Sequence, residues 1–96
     1  MEIPESQCPI VWKAIKYWMD TNHLSPQFLS LQLAGIRPPY MPNQIARGIE
    51  NGSERVTSEL LHQCVRIFGL VSARERGSDD HLTDEECIGI LTAPLE

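Results

Sequence analysis

The 96-residue chain lacks the features that mark several large classes of protein. No apolar run approaches the roughly 18 residues needed to span a bilayer, and no segment alternates in period two as a half-buried strand does. Residues 1 to 6 carry acids where a secretory signal carries bases, so we expect a cytoplasmic protein that does not enter a membrane. The three cysteines (Cys8, Cys64 and Cys87) are odd in number and widely spaced, which favours buried thiols in a reducing compartment over a disulfide framework.

Motifs for catalysis and for metal binding are also missing. The chain has no CxxC, HExxH, glycine-rich phosphate loop or paired-carboxylate motif. His62 and Cys64 lie two residues apart on a predicted helix and point about 200 degrees apart, so they cannot share a metal ion. Two alternatives stay open: a cysteine nucleophile activated by a histidine, and a cation site among the acids at residues 79 to 86. We expect no enzyme, no cofactor and no metal site.

The net charge of -5 is unevenly distributed along the chain. Residues 1 to 70 contain six bases and six acids, whereas residues 71 to 96 contain two bases and seven acids. Between Thr21 and Ile49 there are two arginines and no acid. The acidity therefore belongs to the tail, and the middle of the chain can face phosphate groups.

Apolar stripes and helix-end signals predict two helices in the first third of the chain. The first begins near Pro9, and its apolar stripe consists of Val11, Trp12, Ile15, Trp18 and Met19. Ser25 and Pro26 form an N-cap and a first-turn proline for the second helix, which we expect to end at Gly35. A stiff loop follows, because Pro38 and the proline after it forbid helix.

Three more helices are predicted after this loop. The third runs from Pro42 to Glu50 and carries Gly48 in its interior, so its stability must come from docking on its neighbours. Thr57 or Ser58 caps the fourth helix, whose apolar stripe is Leu60, Leu61, Cys64, Val65 and Phe68. Thr83 begins a capping box for a last helix that carries Ile88, Ile90, Leu91 and Leu95. We expect an N-terminal arm (1 to 8), a helical domain (9 to 71), an acidic linker (72 to 81) and a helical tail (82 to 96).

The central part of the chain resembles one family of DNA-binding proteins. The segment from Leu24 to Ile36 is similar to the second helix and turn of the lambda-repressor-like, Cro-type helix-turn-helix family. Ile49-Glu50-Asn51-Gly52 resembles the end of that family's recognition helix, and Val56 to Leu70 resembles its fourth helix. The resemblance implies an all-α bundle of four to five short helices, here with a C-terminal helical extension. This chain departs from the pattern by a longer turn at residues 36 to 41, and by Ser30 where the family prefers alanine.

The resemblance also implies which residues contact DNA. Asn43, Gln44 and Arg47 match the base-reading positions of the recognition helix, with Gln27 at the start of the second helix. The chemistry agrees, because Asn and Gln pair with adenine and Arg pairs with guanine. Arg37 and Arg55 are expected to hold phosphates, and Tyr40 is expected either to reach the DNA backbone or a partner or to pack against the core.

The function expected from these features is sequence-specific binding of double-stranded DNA by a small transcriptional regulator. We expect a homodimer, and the apolar tail helix either joins the two copies or packs on its own core. The alternative is a protein-interaction module that keeps the helical fold without binding DNA. A further alternative is an autoinhibitory C-terminal segment, in which five of the acids compete with DNA for the same basic side chains: Asp79, Asp80, Asp84, Glu85 and Glu86.

Overall fold

A computed structural model describes residues 3–36, 39–70 and 83–95 of the chain. The α-helices in these ranges are α1 (Cys8–Asn22), α2 (Pro26–Gln32), α3 (Pro42–Asn51), α4 (Ser58–Ile67) and α5 (Asp84–Thr92). Single 3-10 turns lie at Glu5–Gln7 and Ala93–Leu95. Within the described ranges there is no β-strand, so the all-α prediction is confirmed. None of the helices described combines the length and the apolar character needed to cross a membrane.

Helix α1 is the central element of the fold and packs on α3 and α5. Its Val11, Trp12 and Ile15 side chains are fully buried, as the predicted stripe requires. The indole Nε1 of Trp12 donates a hydrogen bond of 2.9 Å to the carbonyl oxygen of Glu54, after α3. The indole Nε1 of Trp18 donates one of 2.9 Å to the carbonyl oxygen of Leu91 on α5. The two tryptophans of α1 thus connect it to both sides of the molecule.

The predicted N-terminal caps are present, but the predicted end of α2 is wrong. The side chains of Ser25, Thr57 and Thr83 each accept a backbone N–H from the first turn of the helix that follows. Helix α2 ends at Gln32, before Gly35, and Gly35 does not adopt the left-handed conformation expected of it. The turn is instead closed by a backbone hydrogen bond from the Ile36 N–H to the Leu33 carbonyl oxygen, at 3.1 Å.

The loop between α2 and α3 is held against the core on its α3 side. Tyr40 is 1% exposed, and its hydroxyl donates a hydrogen bond of 3.0 Å to the carbonyl oxygen of Arg55. The hydroxyl of Ser30 on α2 donates one of 2.7 Å to the carbonyl oxygen of Tyr40. Ser30, where the resembling family prefers alanine, therefore ties α2 to this longer loop.

The described N-terminal and C-terminal segments share the same hydrophobic core. Ile3 is buried, and its N–H donates a hydrogen bond of 2.8 Å to the carbonyl oxygen of Val56. Helix α5 packs on α1 and α4, with Cys87 and Leu91 completely buried. The predicted linker (72 to 81) lies wholly outside the described residues, as do Arg37 and Pro38. The arm and the tail, as far as they are described, are parts of one packed unit.

Candidate nucleic-acid interface

Helix α3 presents one polar face to solvent and buries the opposite face. Ile45 and Gly48 are buried, whereas Asn43 and Arg47 are exposed. Residues four apart lie one turn apart on the same side of a helix, so the Asn43 and Arg47 side chains are neighbours on this exposed face. We call this surface, with Glu50 and Asn51 at its C-terminal end, the polar face of α3.

Gly48 explains how closely α3 lies on the core. A Cβ atom at this position would stand 2.6 Å from Cδ2 and Cε2 of the Trp12 ring and 2.8 Å from Cε3. Such distances are far inside van der Waals contact, so only glycine permits this approach. The glycine that weakens α3 as an isolated helix is therefore what allows the helix to dock on α1.

Gln44 has a structural task that competes with its predicted role. Its Oε1 atom accepts a hydrogen bond of 2.9 Å from the N–H of Met41, which precedes the helix. Bidentate pairing with adenine needs both the oxygen and the nitrogen of the amide. Because the oxygen already caps the N-terminus of α3, we leave Gln44 out of the proposed base-reading set. Its place three residues after the N-cap is the sequence signal for this role.

Gln27 and Arg47 remain accessible on the described surface. Gln27 is exposed near the start of α2, the helix that packs beside α3. The side chain of Arg47 is 56% exposed, and its Nε lies 3.2 Å from Oε1 of Glu54, whose side chain is 20% exposed. This ion pair joins the polar face of α3 to the segment that follows the helix. Glu54 was not singled out by the sequence, because it lies beyond the end of α3 at Asn51, where helical spacing no longer shows which side chains meet.

Tyr40 and Arg55, which were both considered as contacts to the DNA backbone, lie against each other. The Arg55 Cζ atom stands 4.5 Å from the centroid of the Tyr40 ring, a cation–π distance. Burial raises the pKa of the Tyr40 hydroxyl, against smaller lowering effects of Thr57 and Arg55. Of the two alternatives expected for Tyr40, packing against the core is the one observed, since its side chain is buried and its hydroxyl donates to protein. Arg55 is half-buried, and Arg37 lies outside the described residues.

Two lysines that were not predicted to contact DNA lie beside the polar face of α3. Lys13 and Lys16 of α1 are exposed and line an open groove of about 300 Å³ together with Glu50 and Asn51 of α3. They add positive charge next to the C-terminal end of α3. Their spacing of three residues on the polar side of α1 was the available signal.

The described residues offer little to a catalytic or metal interpretation. Cys64 is completely buried, and this burial raises its pKa to about 12, with a smaller contribution from Cys87. A thiol in such surroundings stays protonated at neutral pH and is a poor nucleophile. Within the described ranges no three His, Cys, Asp or Glu side chains cluster as ligands for a metal ion. His62 instead lies 3.5 Å from the carboxylate of Asp84, which also accepts a hydrogen bond of 2.7 Å from Ser58.

Comparison with known proteins adds no relative to this picture. No family model, curated protein or solved structure matches the chain. The resemblance of roughly residues 12 to 70 to the lambda-repressor-like family stays a prediction from the sequence.

Proposed function

We propose that this protein is a small regulator of transcription that binds double-stranded DNA by placing α3 in the major groove. The proposal includes a lambda-repressor-like arrangement of α1 to α4, with α3 as the recognition helix. The observation that carries it is the polar face of α3, on which Asn43 and Arg47 project side by side from a helix anchored by Gly48. An amide and a guanidinium one turn apart are the side chains that pair with adenine and guanine.

The charge around α3 supports the same proposal. Lys13 and Lys16 flank the polar face, and the chain between Thr21 and Ile49 contains no acid. Phosphate contacts of this kind hold a protein on DNA without reading its sequence. Gln27 on α2 is the further candidate for a base contact, and Arg37 and Arg55 stay candidates for the backbone.

The first experiment measures binding to a pool of randomised duplex DNA by fluorescence anisotropy at several salt concentrations. A protein that neutralises several phosphates loses affinity steeply as salt rises, with a log–log slope near -0.9 for each phosphate. Selection from the same pool should recover a preferred sequence. Absence of binding at low salt, or binding without any preferred sequence, contradicts the proposal.

The double variant N43A/R47A tests whether α3 is the element that binds. We expect it to lose the sequence preference and at least tenfold in affinity, because it removes two base contacts of about 1–3 kcal/mol each. The matched control is R66A, which removes one positive charge from the exposed surface of α4. We expect R66A to keep the preferred sequence. If R66A and N43A/R47A behave alike, α3 is not the recognition helix.

The second candidate function is a protein-interaction module, and one feature of α2 favours it. Phe28 and Leu31 are 47% and 73% exposed, although both are large apolar side chains. Adjacent apolar groups in water are typical of protein contact sites. Binding that survives high salt and is lost in F28S/L31S, but kept in N43A/R47A, would favour this function over DNA binding.

The proposal includes a homodimer. A dimer joined by the tail helix was expected because the apolar side chains of that helix need to be covered. Within this chain, however, Leu91 is buried, and Ile88, Ile90 and Leu95 pack against the same core. A dimer on a two-fold symmetric DNA site would therefore use another surface. Two acids of the competing idea, an autoinhibitory tail, already accept hydrogen bonds within the protein: Asp84 from Ser58, and Glu86 from the N–H of Thr83.

A further inference from the structure

We infer that Glu54 is a positioning residue that orients the Arg47 guanidinium so that it reads a guanine. The inference rests on the proposed function and names a residue that decides its specificity. Glu54 does not contact the base itself. It holds Arg47 in the conformation from which the base is read.

The position of Glu54 is set by the core of the protein. Its carbonyl oxygen accepts the hydrogen bond from Nε1 of the buried Trp12, at 2.9 Å. Its carboxylate, only 20% exposed, then reaches back to Nε of Arg47 at 3.2 Å. The same indole lies directly beneath Gly48 of α3. Trp12 therefore fixes both the helix that carries Arg47 and the backbone of the residue that holds it.

The geometry of the guanidinium group decides which edge is held. A carboxylate at Nε engages the side edge of the group, whereas the end edge is formed by the two Nη amino groups. The end edge is the one that can donate two parallel hydrogen bonds to O6 and N7 of a guanine. An arginine held by Nε keeps this fork available and loses less rotamer freedom when it meets the base.

Two roles of Glu54 can be distinguished, because electrostatic repulsion of DNA and positioning of Arg47 predict opposite effects of removing its carboxylate. If Glu54 only repelled the DNA backbone or competed with it for Arg47, its removal would tighten binding. If Glu54 positions Arg47, its removal weakens binding to the preferred duplex and relaxes the choice of base at one position. Glu59 is the matched control, because it is an exposed acid on α4 and makes no ion pair within the described residues.

The experiment uses the full chain and the duplex that the wild-type protein selects from a randomised pool. Affinity is measured for that duplex and for versions in which each base pair is changed in turn. E54A should bind the selected duplex about tenfold more weakly and lose its preference at one G·C pair. E54Q should retain that preference, because the glutamine oxygen can still accept from Nε. E59Q should bind the selected duplex as tightly as wild type or more tightly, with its preferences unchanged.

A measurement without DNA checks the positioning directly. The Arg47 Nε–Hε resonance, followed by ¹⁵N relaxation, should report an ordered side chain in wild type and E54Q and a mobile one in E54A. Tighter binding by E54A, or an unchanged base preference in it, overturns the inference while leaving the proposed function in place. If the wild-type protein selects no duplex, the proposed function and this inference both fall.

Discussion

Gly48 of α3 rests on the ring of Trp12 in α1 with no space for a side chain between them. The contact is the point where the candidate recognition helix meets the core, and the indole N–H carries the link on to Glu54. Because Trp12 is fully buried, the ring cannot move outward to admit even one methyl group. The depth at which α3 docks is therefore decided by a single glycine.

Gly48→Ala should destabilise the protein although alanine is the better helix former. The gain in helix propensity is about 1 kcal/mol, while overpacking against the indole costs about 1–3 kcal/mol and in addition displaces α3. We expect a net loss in the free energy of unfolding, measured by urea denaturation. Gly89→Ala on α5 is the matched control, because a Cβ there meets nothing within 4 Å. It should stabilise by about 0.5–1 kcal/mol, and an equal response of the two variants would contradict the close contact.

Tyr40→Phe should lower the free energy of unfolding by about 1 kcal/mol, because it removes the hydrogen bond to the Arg55 carbonyl and leaves that oxygen without its donor. Tyr17→Phe is the control, since Tyr17 is 40% exposed on α1 and its change should stay within about 0.5 kcal/mol. Denaturation of the two variants side by side gives the comparison. A harmless Tyr40→Phe would mean that the hydroxyl does not hold the loop.

Alkaline pH should destabilise the fold through its buried thiol and phenol. Burial raises the pKa of Cys64 from 9.0 to about 12, and it raises the pKa of Tyr40 above 10.0. Both groups release a proton more readily when unfolded, so their contribution is constant below about pH 8 and is lost as pH rises through 9 and 10. Each group lowers stability by up to about 1.4 kcal/mol per pH unit in its range. Cys64→Ala should flatten the decline between pH 9 and 10, and an unchanged slope would show that the thiol is not the cause.

Leu91→Ala should cost about 2–5 kcal/mol of stability, because Leu91 is completely buried between α5 and the rest of the core. Leu95→Ala, at a partly buried position in the last turn, should cost clearly less. Thermal unfolding measures the stability, and analytical ultracentrifugation of the same samples reports the association state. A variant Leu91→Ala that keeps its stability but changes its association state would restore the tail-mediated dimer.

Local signals account for the parts of the fold that the sequence predicts well. The caps at Ser25, Thr57 and Thr83 were found because a capping side chain bonds to backbone within three residues of itself. The buried stripe of α1 was found because helical periodicity places its members on one side. The end of α2 was missed, since the glycine signal at Gly35 was weaker than the packing of Leu33 and Ile36 into the core.

The candidate site was predicted less completely, because its members act through contacts that the chain order does not show. Asn43 and Arg47 were identified through the resemblance to the helix-turn-helix family, and they are exposed together. Gln44 was predicted to read a base but also caps α3, because an amide three residues after an N-cap can bond to the N-cap backbone. Tyr40 and Glu54 depend on a hydrogen bond and an ion pair that form only when the loop around residue 54 folds over α1.

Trp12 and Trp18 of α1 contact different parts of the molecule and so give it two separate optical reporters. The fluorescence of Trp12 reports on its contact with α3. Trp18 stacks on Phe68 and donates a hydrogen bond to α5, so its fluorescence reports on the side of the molecule formed by α4 and α5. Chains that retain one indole at a time would show whether both halves melt in one cooperative transition or in two. The arrangement makes the cooperativity between the candidate recognition helix and the rest of the fold directly visible by fluorescence, without an added label.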